Sequence, residues 1–596
     1  MRRRAHVLRE NSRGRLPNEF VVFDTEAMPR SIGIGEEHEF RLAVAYYFNR
    51  RKKDYPNPSD KLRTKDPEEL WWWIERHTSP KTKLYVFAHN IDYDVTVSKG
   101  LTFLKNMGYE VKKWFVEDSV YHIVFRGVDR TIVLADTFSL FPFSLKVIGK
   151  WAGIEKATMP DFEDSDEAWF EYCERDVQVL SQALHKYFDF LSANDLGNFA
   201  VTIAGQSFNA FRHRFMHTRI FIHNLEEVEK GEIESYYGGR VEAWYIGKVP
   251  ETVWYVDVNS MYPYVMKENS YPVEYIGTID KPSLVDLKKL CDRYCVVARI
   301  WIETQLPILP YRTSKTIFPV GRFIGWYSTP EILLALRKGC VVKCDVAYVY
   351  RKAILFDQYV DFFYNLKQKA RHEGDKATYT LSKLFLNSLY GKFGQRTAEL
   401  IEISNDDVSE DEVAEALVSM AAGRINYIRF MDKIYRKEKR EPSYNSFIAI
   451  AAHVTSYARV HLWHLIETAG LSNVYYMDTD SLFVNDKGLR NLEYWLDEDK
   501  LGYLKIEKSS ADVTILGAKA YIWEGERKIK GIPRGAVEKE PLKFEFDHFM
   551  KFRTKLRKGL LDRQIVEKKT RELSLDYDKG IVTETGKVIP LLVEEF

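Results

Sequence analysis

Two aspartates separated by one residue carry the strongest chemical signal in the sequence. Asp478 and Asp480 lie in the segment 475–481, and apolar residues flank it on both sides, as expected for buried strands that meet at a turn. Asp257 ends another apolar run. Three carboxylates gathered at such turns can bind two Mg²⁺ ions, which suits in-line displacement at a phosphate. Surface turns also use Asp freely, so the Asp-x-Asp pair alone does not establish a metal site.

A second group of acids lies in the N-terminal part of the chain. Asp24 and Glu26 directly follow a short apolar run, Asp94 comes soon after another, and Asp176 lies in a helical pattern. Acids on three separate elements can converge on two cations and activate a water molecule for phosphodiester hydrolysis. Many α/β domains carry acids at strand ends, however, so the residues alone leave this interpretation open.

Two further side chains would complete such a hydrolytic site. Tyr172 stands four residues before Asp176, which places both side chains on one face of a helix. In that position the Tyr172 hydroxyl would orient the attacking water. Lys146 would neutralise the charge of a phosphate.

The apolar pattern predicts the elements that position these residues. The N-terminal part is typical of a strand-rich α/β domain, and from about Tyr245 the pattern changes to separated strands and long helices. The predicted elements are strands at 20–23, 41–47 and 84–88, helices over 167–191, 353–390 and 446–469, and a charged surface insertion over 404–441.

Composition limits the class of protein. With 596 residues, 45% of them hydrophobic and 14% aromatic, the chain is long enough for about three or four globular domains.

The net charge of +1 does not indicate nucleic acid, although the stretch 551–571 is rich in Lys and Arg and allows a local basic surface. No apolar run approaches the roughly 18 residues of a membrane span, so we expect no membrane segment and no secretory leader. Six arginines among the first fifteen residues indicate a flexible basic arm, with a mitochondrial targeting sequence as the alternative.

The five cysteines are an odd number, which favours a reducing compartment. Cys291 and Cys295 form one Cys-x₃-Cys pair, and Cys340 and Cys344 form another. This spacing is unusual for zinc and no His stands nearby, so we expect ordinary packing, with a metal site or a disulfide as the alternative.

Together these segments resemble the family B DNA polymerases that carry a proofreading 3′–5′ exonuclease. Seven motifs stand in that family's order and span about 500 residues. The three exonuclease motifs match 24–26, 90–94 and 172–176, the three polymerase motifs match 257–263, 383–391 and 476–481, and a Lys-x-Tyr motif matches 519–521. The resemblance implies an α/β multidomain protein in which an RNase H-like exonuclease domain precedes a right-hand polymerase with palm, fingers and thumb, the palm being α+β.

The resemblance assigns roles to the acids. Asp257, Asp480 and the carbonyl oxygen of Val258 would hold the polymerase metal ions, with Asp478 as a supporting acid in the same turn. The exonuclease ions would be held by Asp24, Glu26, Asp94 and Asp176. Two Mg²⁺ ions per site are expected, and Mn²⁺ is an alternative.

Contacts with nucleotide and DNA are also implied. Lys383 would meet the triphosphate with help from Arg371, and Tyr262 would exclude a ribose 2′-OH, so dNTPs are the expected substrate. Lys383, Asn387 and Tyr390 share one helix face, and Tyr390 would lie near the nascent base pair. Contacts with DNA are expected from Asn90, Tyr93, Tyr237, Gly238, Gly239, Lys519 and Tyr521.

A narrower resemblance is to the protein-primed subgroup of phages, linear plasmids and mobile elements. The Tyr-x-Gly-Gly loop 236–239 indicates this subgroup, and its paired glycines permit close backbone approach to a phosphate. The short chain and the segment 141–146 point the same way. Members carry two insertions, expected here near 270–325 and 397–440, that in relatives bind the terminal protein and encircle DNA.

The resemblance therefore implies partners and domains. A terminal protein is expected besides primer–template DNA, and the chain is expected to act as a monomer in the cytoplasm of a host cell. The implied domains are the exonuclease at 1–190, a connecting segment with the template loop at 191–250, palm and fingers at 251–530, and the thumb at 531–596.

Three positions depart from the family pattern. Ala27 stands where a polar residue commonly contacts the primer end, Met261 replaces Leu, and Tyr379 stands where some relatives have an additional Lys. Two other functions stay open: a primase-like enzyme that starts strands without a primer, and a nuclease or DNA-binding replication protein whose polymerase part is inactive.

Overall fold

The computed structural model describes residues 3–33, 35–117, 120–403, 427–431, 433–533, 535–574 and 576–596. Buried side chains in these ranges form three hydrophobic clusters, one of which runs from the N-terminal part into the C-terminal half. None of the helices in the described part of the chain is long and apolar enough to cross a membrane.

A ten-stranded mixed sheet forms the N-terminal part of the molecule. Its strand Glu19–Ile32 is buried over 20–23, because four apolar residues enter the core there, and carries Asp24 and Glu26 beyond them. This strand pairs in parallel with Lys83–Ala88, which pairs in parallel with Thr131–Asp136. The other strands of the sheet are Gly35–Asn49, Asp60–Thr64, Glu110–Glu117, Val120–Arg126, Val537–Glu540, Lys543–Phe549 and Gln564–Glu572.

The long helix Asp166–Ala193 covers one face of this sheet. It begins where the Ser165 hydroxyl accepts a hydrogen bond from the amide of Ala168, and it packs on the strands Glu19–Ile32 and Gly35–Asn49. Its buried stripe therefore brings Asp176 towards the strand that carries Asp24. The other helices of this part are Pro67–Arg76, Ile91–Val97, Gly100–Asn106, Leu145–Ala152, Ile203–Ala210 and Glu226–Ser235, with 3₁₀ and π turns at Thr137–Ser139 and Phe211–Phe215.

A five-stranded antiparallel sheet carries the second group of acids. Asp257 is the penultimate residue of the strand Val253–Val258, and Asp478 and Asp480 lie at the turn between Val474–Asp478 and Ser481–Val484. The outer strands are Val241–Ala243 and Leu504–Ser510. The apolar helix Ile448–Ala469 is buried along most of its length, and shorter helices lie at Met261–Glu268, Thr329–Arg337, Asp486–Asn491 and Glu493–Trp495.

Two helices joined by a sharp turn replace the single helix predicted over 353–390. A strand continues to Ile354, and the helices Asp357–Glu373 and Lys376–Ser388 follow, with a short turn of helix at Tyr390–Phe393. Gly374 adopts a φ of +73°, which favours glycine, and Asp375 caps the second helix by accepting a 3.0 Å hydrogen bond from the amide of Thr378. The two helices pack side by side.

The segment of the first predicted insertion lies largely in a seven-stranded sheet. The helix Leu284–Arg293 packs against it. Its strands are His6–Val7, Phe221–Ile222, Ser270–Asp280, Cys295–Thr304, Val320–Ser328, Val341–Ile354 and Leu592–Glu594, and Tyr311–Arg312 pairs separately with Thr316–Ile317. All five cysteines are buried free thiols.

The second predicted insertion falls partly on 404–426 and 432, which lie outside the described residues. Its described strands, Arg396–Glu402, Tyr427–Phe430 and Lys433–Pro442, form one small sheet. Phe430 packs against Trp114 of the N-terminal sheet and Phe552 near the C-terminus, at ring distances of 4.9 and 5.5 Å.

The C-terminal segment divides between several sheets. Glu36 stands opposite Val566, so the strands of 537–572 extend the N-terminal sheet. Lys555, on the helix Phe552–Lys558, is fully buried and pairs with Asp92 at 2.8 Å. A four-stranded sheet contains Gly247–Lys248, Val513–Gly517, Ala520–Trp523 and Glu526–Ile529, and Gly580–Val582 pairs with Val588–Pro590.

Candidate active sites

Backbone hydrogen bonds hold Asp257 and Asp480 side by side. The amide of Val258 donates to the carbonyl oxygen of Asp480 at 2.8 Å, and Asp257 stands opposite Ser481 in the strand register. Thr479 lies between the two acids of the turn and has a φ of +64°, so the chain reverses its direction at this residue. Both carboxylates therefore emerge at one edge of the sheet.

The Tyr-x-Gly-Gly loop and the residue after it pack against this turn. The amide of Thr479 donates a 2.7 Å hydrogen bond to the carbonyl oxygen of Arg240. A Cβ atom on Gly239 would lie 2.8 Å from the Cγ2 atom of Thr479, so only glycine allows this approach. The buried Arg459 donates hydrogen bonds of 2.8 and 2.7 Å to the carbonyl oxygens of Tyr237 and Gly238.

Burial and mutual repulsion disfavour the charged forms of these two acids. Burial, and then the charge of Asp480, raise the pKa of Asp257 to about 7. Burial, and then the charge of Asp478, raise the pKa of Asp480 to about 6. Crowded carboxylates of this kind fit divalent cations, which would restore their charge, and oxygen atoms are the donors that Mg²⁺ prefers.

Asp478 has a different environment from its two neighbours. The Nζ atom of Lys519 donates to its Oδ1 atom at 3.0 Å, and the Thr479 hydroxyl donates to the same oxygen at 3.0 Å. Lys519 is itself held by its amide, which donates to the hydroxyl of Tyr476 at 3.1 Å. Asp478 is thus paired with a lysine, whereas Asp257 and Asp480 face each other.

The predicted nucleotide-facing residues lie beside this pair of acids. Lys383 and Asn387 are exposed on one face of their helix. Burial raises the pKa of both Asp257 and Asp480, and the nearby charge of Lys383 offsets part of that rise. Tyr390 follows that helix and stacks on Tyr262, with the ring centres 4.5 Å apart. The structure therefore brings Lys383 and the tyrosine pair to the same edge of the sheet.

A third cation, Lys367, stands in this region and was not predicted. Its Nζ atom donates to the hydroxyl of Ser260 at 3.3 Å. Burial, and then the charges of Lys383 and Arg371, lower the pKa of Lys367 to about 8, so the three cations are close enough to repel one another. Arg371 pairs with Asp499. The sequence contained a signal, since Lys367 precedes Arg371 by one helical turn.

The N-terminal acids form a second, separate group. The hydroxyl of Thr25 donates to the Oδ1 atom of Asp94 at 2.8 Å, and the Thr25 amide donates to the same atom at 3.1 Å. Because Thr25 stands between Asp24 and Glu26 in the sequence, these bonds hold Asp94 beside the two acids. Ligand atoms of Asp24, Glu26 and Cys173 all lie within 4.8 Å of one another. The strand Glu19–Ile32 and the helix Ile91–Val97 thus bring Asp24, Glu26 and Asp94 together.

Asp176 completes this group together with a lysine that was not predicted. Lys156 forms an ion pair with Asp176, and its Nζ atom lies 4.5 Å from the centre of the Tyr172 ring. Tyr172 and Asp176 share a helix face, as predicted. Lys146 is exposed on the helix Leu145–Ala152, and within the described ranges no ion pair joins it to the four acids.

The electrostatics of the second group also fit bound cations. Burial, and then the charge of Asp176, raise the pKa of Glu26 to about 8. Burial raises the pKa of Asp94 to about 7, and burial and then Asp94 raise the pKa of Asp24 well above its usual range. The Oδ1 atom of Asp176 is buried and has no hydrogen-bond partner among the described residues. Hard divalent cations would satisfy this oxygen and neutralise the group.

Two side chains predicted to contact DNA lie in the core instead. The Tyr237 side chain is only 4% exposed and stacks on Tyr327, and Tyr521 is 8% exposed and packs against Tyr476. Their large apolar rings are buried because each lies beside other aromatic rings. The rings of Tyr237 and Tyr521 are therefore not available for a DNA contact in this structure.

The N-terminal residues predicted to contact DNA have clearer positions. Asn90 begins the helix Ile91–Val97 in a left-handed conformation, and its amide donates to the Oδ1 atom of Asp136 at 2.9 Å. The Tyr93 hydroxyl lies 2.8 Å from the Nδ1 atom of His38, and the Tyr93 ring contacts that of Phe549. Tyr93 therefore stands where the C-terminal segment meets the N-terminal sheet.

Sequence comparisons identify similar proteins. The family model described as DNA polymerase type B, organellar and viral, matches residues 154–469, more than half of the chain. A probable DNA polymerase of Neurospora intermedia is 29% identical over 381 residues, which cover 60% of this chain and 38% of that protein. The DNA-directed DNA polymerase of Enterobacteria phage PRD1 is 24% identical over 496 residues, covering 79% of this chain and 78% of that protein. The chain thus spans only about a third of the length of the Neurospora intermedia and Podospora anserina relatives.

Solved structures show the same fold. Phi29 DNA polymerase complexed with primer-template DNA superposes with a TM-score of 0.68 at 16% identity, covering 94% of this chain and 100% of that one. The ternary complex of the same enzyme with incoming nucleotide gives a TM-score of 0.66 over the same shares. The predicted fold class, an exonuclease domain followed by a right-hand polymerase, is confirmed.

Proposed function

Because the chain belongs to the organellar and viral family of type B DNA polymerases, we propose that it is a DNA-directed DNA polymerase with a 3′–5′ exonuclease. In this proposal the chain adds dNTPs to a 3′ end at the Asp257–Asp480 site and removes nucleotides at the Asp24–Glu26 site. The domain limits near 190, 250 and 530 are part of the same proposal.

The juxtaposition of Asp257 and Asp480 is the observation that carries the polymerase function. Their strands are joined by the bond from Val258 to Asp480, and Lys383 acts electrostatically on both carboxylates. Asp257, the Val258 carbonyl oxygen and Asp480 would hold two Mg²⁺ ions, which when bound activate the attacking 3′ oxygen and stabilise the leaving pyrophosphate.

The remaining residues bind and orient the nucleotide. Lys383, Arg371 and Lys367 provide three cations on two adjacent helices for the triphosphate. Tyr262 stacks on Tyr390 with a ring distance of 4.5 Å, and in this proposal the Tyr262 ring lies under the sugar of the nucleotide and excludes a ribose 2′-OH. Lys519 holds Asp478 and moderates its repulsion of Asp480.

The exonuclease proposal depends on the second carboxylate group. Asp24, Glu26, Asp94 and Asp176 would hold two Mg²⁺ ions, which when bound lower the pKa of an attacking water and stabilise charge on the cleaved phosphate. Tyr172 would orient that water, and Lys156 holds both Tyr172 and Asp176. Lys156 thus takes the place near the acids that the sequence suggested for Lys146.

A primer-extension assay tests the polymerase function. A labelled primer annealed to a longer template is incubated with the enzyme, Mg²⁺ and all four dNTPs. We expect template-directed extension with dNTPs and far less with rNTPs. Degradation of the primer with no extension at any dNTP concentration would favour the nuclease alternative instead.

We also propose protein priming on behalf of a phage, linear plasmid or mobile element, in the cytoplasm of its host. The Tyr-x-Gly-Gly loop against the Asp-x-Asp turn supports this assignment, and so does similarity to the polymerases of phages PRD1 and Cp-1. The partner would be a small terminal protein that offers a hydroxyl group in place of a primer end.

The primase-like alternative predicts a different product. Enzyme, single-stranded template and labelled dNTPs are combined without primer or partner. Protein priming predicts no labelled strand under these conditions, whereas de novo product would establish the primase-like reading.

A further inference from the structure

A cysteine thiol lies inside the N-terminal carboxylate group. Cys173 is fully buried on the helix Asp166–Ala193, between Tyr172 and Asp176 on the sequence. Its Sγ atom lies 3.3 Å from the carbonyl oxygen and 3.5 Å from the Oδ2 atom of Asp24. Together with Glu26 these atoms lie within 4.8 Å of one another.

The distance between Cys173 and Asp24 matches one metal ion bound by sulfur and oxygen. Tetrahedral zinc has bonds of about 2.3 Å to sulfur and 2.1 Å to oxygen, which places two such ligands about 3.6 Å apart. The separation between Cys173 Sγ and Asp24 Oδ2 is 3.5 Å. Cys173 and Asp24 would therefore need little movement to share an ion.

A second feature of the site points independently to a cation. Asp176 is only 4% exposed, and Lys156 pairs with its Oδ2 atom, whereas its Oδ1 atom has no hydrogen-bond partner within the described part of the chain. Its charge acts on both Asp24 and Glu26, so the carboxylate faces the same space. A buried oxygen of this kind is costly unless a cation or a donor satisfies it.

The polymerase-side acids have no comparable sulfur. The other four cysteines lie in or beside the sheet of the first insertion, at Cys291, Cys295, Cys340 and Cys344. Asp257, Asp480 and the Val258 carbonyl oxygen offer hard oxygen ligands. The two sites therefore differ in the softness of their ligand atoms as well as in position.

We propose that Cys173 makes the N-terminal site a binding site for thiophilic divalent cations such as Zn²⁺ and Cd²⁺, with Asp24 and Glu26 as the other ligands. On binding, the ion replaces the S–H proton, which leaves to the solvent. Such an ion displaces Mg²⁺ from Asp24 and Glu26 and stops hydrolysis at this site. This last consequence rests on the proposed exonuclease, whereas the binding itself does not.

The binding is measured with Cd²⁺ on the metal-free full-length protein, through the ultraviolet absorbance of the cadmium–thiolate bond. The wild-type chain is compared with Cys173→Ser, which keeps the size of the side chain but replaces sulfur by oxygen. Cys340→Ser removes another buried thiol and serves as the matched control. We expect Cys173→Ser to lose the tightest absorbance step and Cys340→Ser to keep it.

Inhibition is measured separately on a labelled DNA strand in fixed Mg²⁺, with each protein normalised to its own rate without Cd²⁺. Because even the loss of an outer-shell partner costs 10–100-fold in metal affinity, Cys173→Ser should need at least about tenfold more Cd²⁺ for half-inhibition. Equal absorbance in wild-type and Cys173→Ser proteins overturns the proposal. Absorbance lost in Cys173→Ser with no nuclease activity in any protein would sustain the metal site and refute the exonuclease.

Discussion

The amide of Val258 donates a 2.8 Å hydrogen bond to the carbonyl oxygen of Asp480. This bond extends the pairing of their strands beyond the opposed residues Asp257 and Ser481. The two acids are therefore placed by backbone geometry, and their side chains need no bond to each other. Such a frame keeps two like charges together until cations bind between them.

The lowered pKa of Lys367 predicts how dNTP binding depends on pH. Its pKa is lowered to about 8 by burial and by Lys383 and Arg371, so it is charged below that pH and neutral above it. Loss of one charged contact should raise the KM for dNTPs about 5- to 10-fold between about pH 7 and 9. The Lys367→Arg variant stays charged over this range and should show a smaller rise.

The comparison requires KM values for the wild-type and Lys367→Arg proteins at each pH and at fixed Mg²⁺. Parallel KM profiles for the two proteins would remove Lys367 from the triphosphate site.

The pairing of Lys519 with Asp478 predicts how the rate of primer extension depends on pH when Lys519 is replaced. Its charge opposes the effect of Asp478, which raises the pKa of Asp480. In Lys519→Met the pKa of Asp480 should rise further, so Asp480 would bind cations less well at low pH. The acid limb of the kcat profile should move to higher pH, with little change in the KM for dNTPs.

The exposed Lys530 provides the control for this variant, because Lys530→Met removes a nearby charge without touching Asp478. Coincident pH profiles for Lys519→Met and wild type would show that the Lys519–Asp478 pair has no influence on Asp480.

The double variant Asp24→Ala/Glu26→Ala should separate the two activities. Removing two ligands of the proposed exonuclease ions takes away several kcal/mol of transition-state stabilisation, so 3′–5′ degradation should fall more than about 100-fold. Extension by the same protein should stay within about twofold of wild type. Glu39→Ala, at an exposed acid of the neighbouring strand, is the control for loss of charge. Persistent degradation would mean that the nuclease site lies elsewhere.

Lys156 and Lys146 make a matched pair for the exonuclease. Lys156 pairs with Asp176 and stands over Tyr172, whereas Lys146 is exposed. We expect Lys156→Met to slow degradation at least about tenfold, because it leaves a buried carboxylate unpaired. Lys146→Met should have the smaller effect. A larger loss in Lys146→Met would restore the role that the sequence suggested for that residue.

The acids could be predicted from the sequence because each lies next to a recognisable local element. Asp24, Asp257 and Asp480 follow apolar runs that became buried strands, and Tyr172 and Asp176 have helical spacing. The break at Gly374 was also visible as a Gly-Asp pair, but the long apolar periodicity around it favoured one helix.

The supporting residues could not be predicted, because their contacts join distant parts of the chain. Lys156 meets Asp176, and Arg459 meets the carbonyl oxygen of Tyr237, 222 positions away. Cys173 faces Asp24 only because the helix packs on one particular strand. Such pairs are fixed by packing and strand register, which no local pattern specifies.

The most direct test of the two-site account is Asp480→Asn, assayed on one labelled primer–template with Mg²⁺ and all four dNTPs. Asparagine keeps the shape of the side chain and removes the charge that would bind the metal ions. We expect the Asp480→Asn protein to degrade the primer at the wild-type rate and to fail to extend it. Extension at the wild-type rate would contradict the assignment of Asp480 and, with it, the proposed polymerase centre.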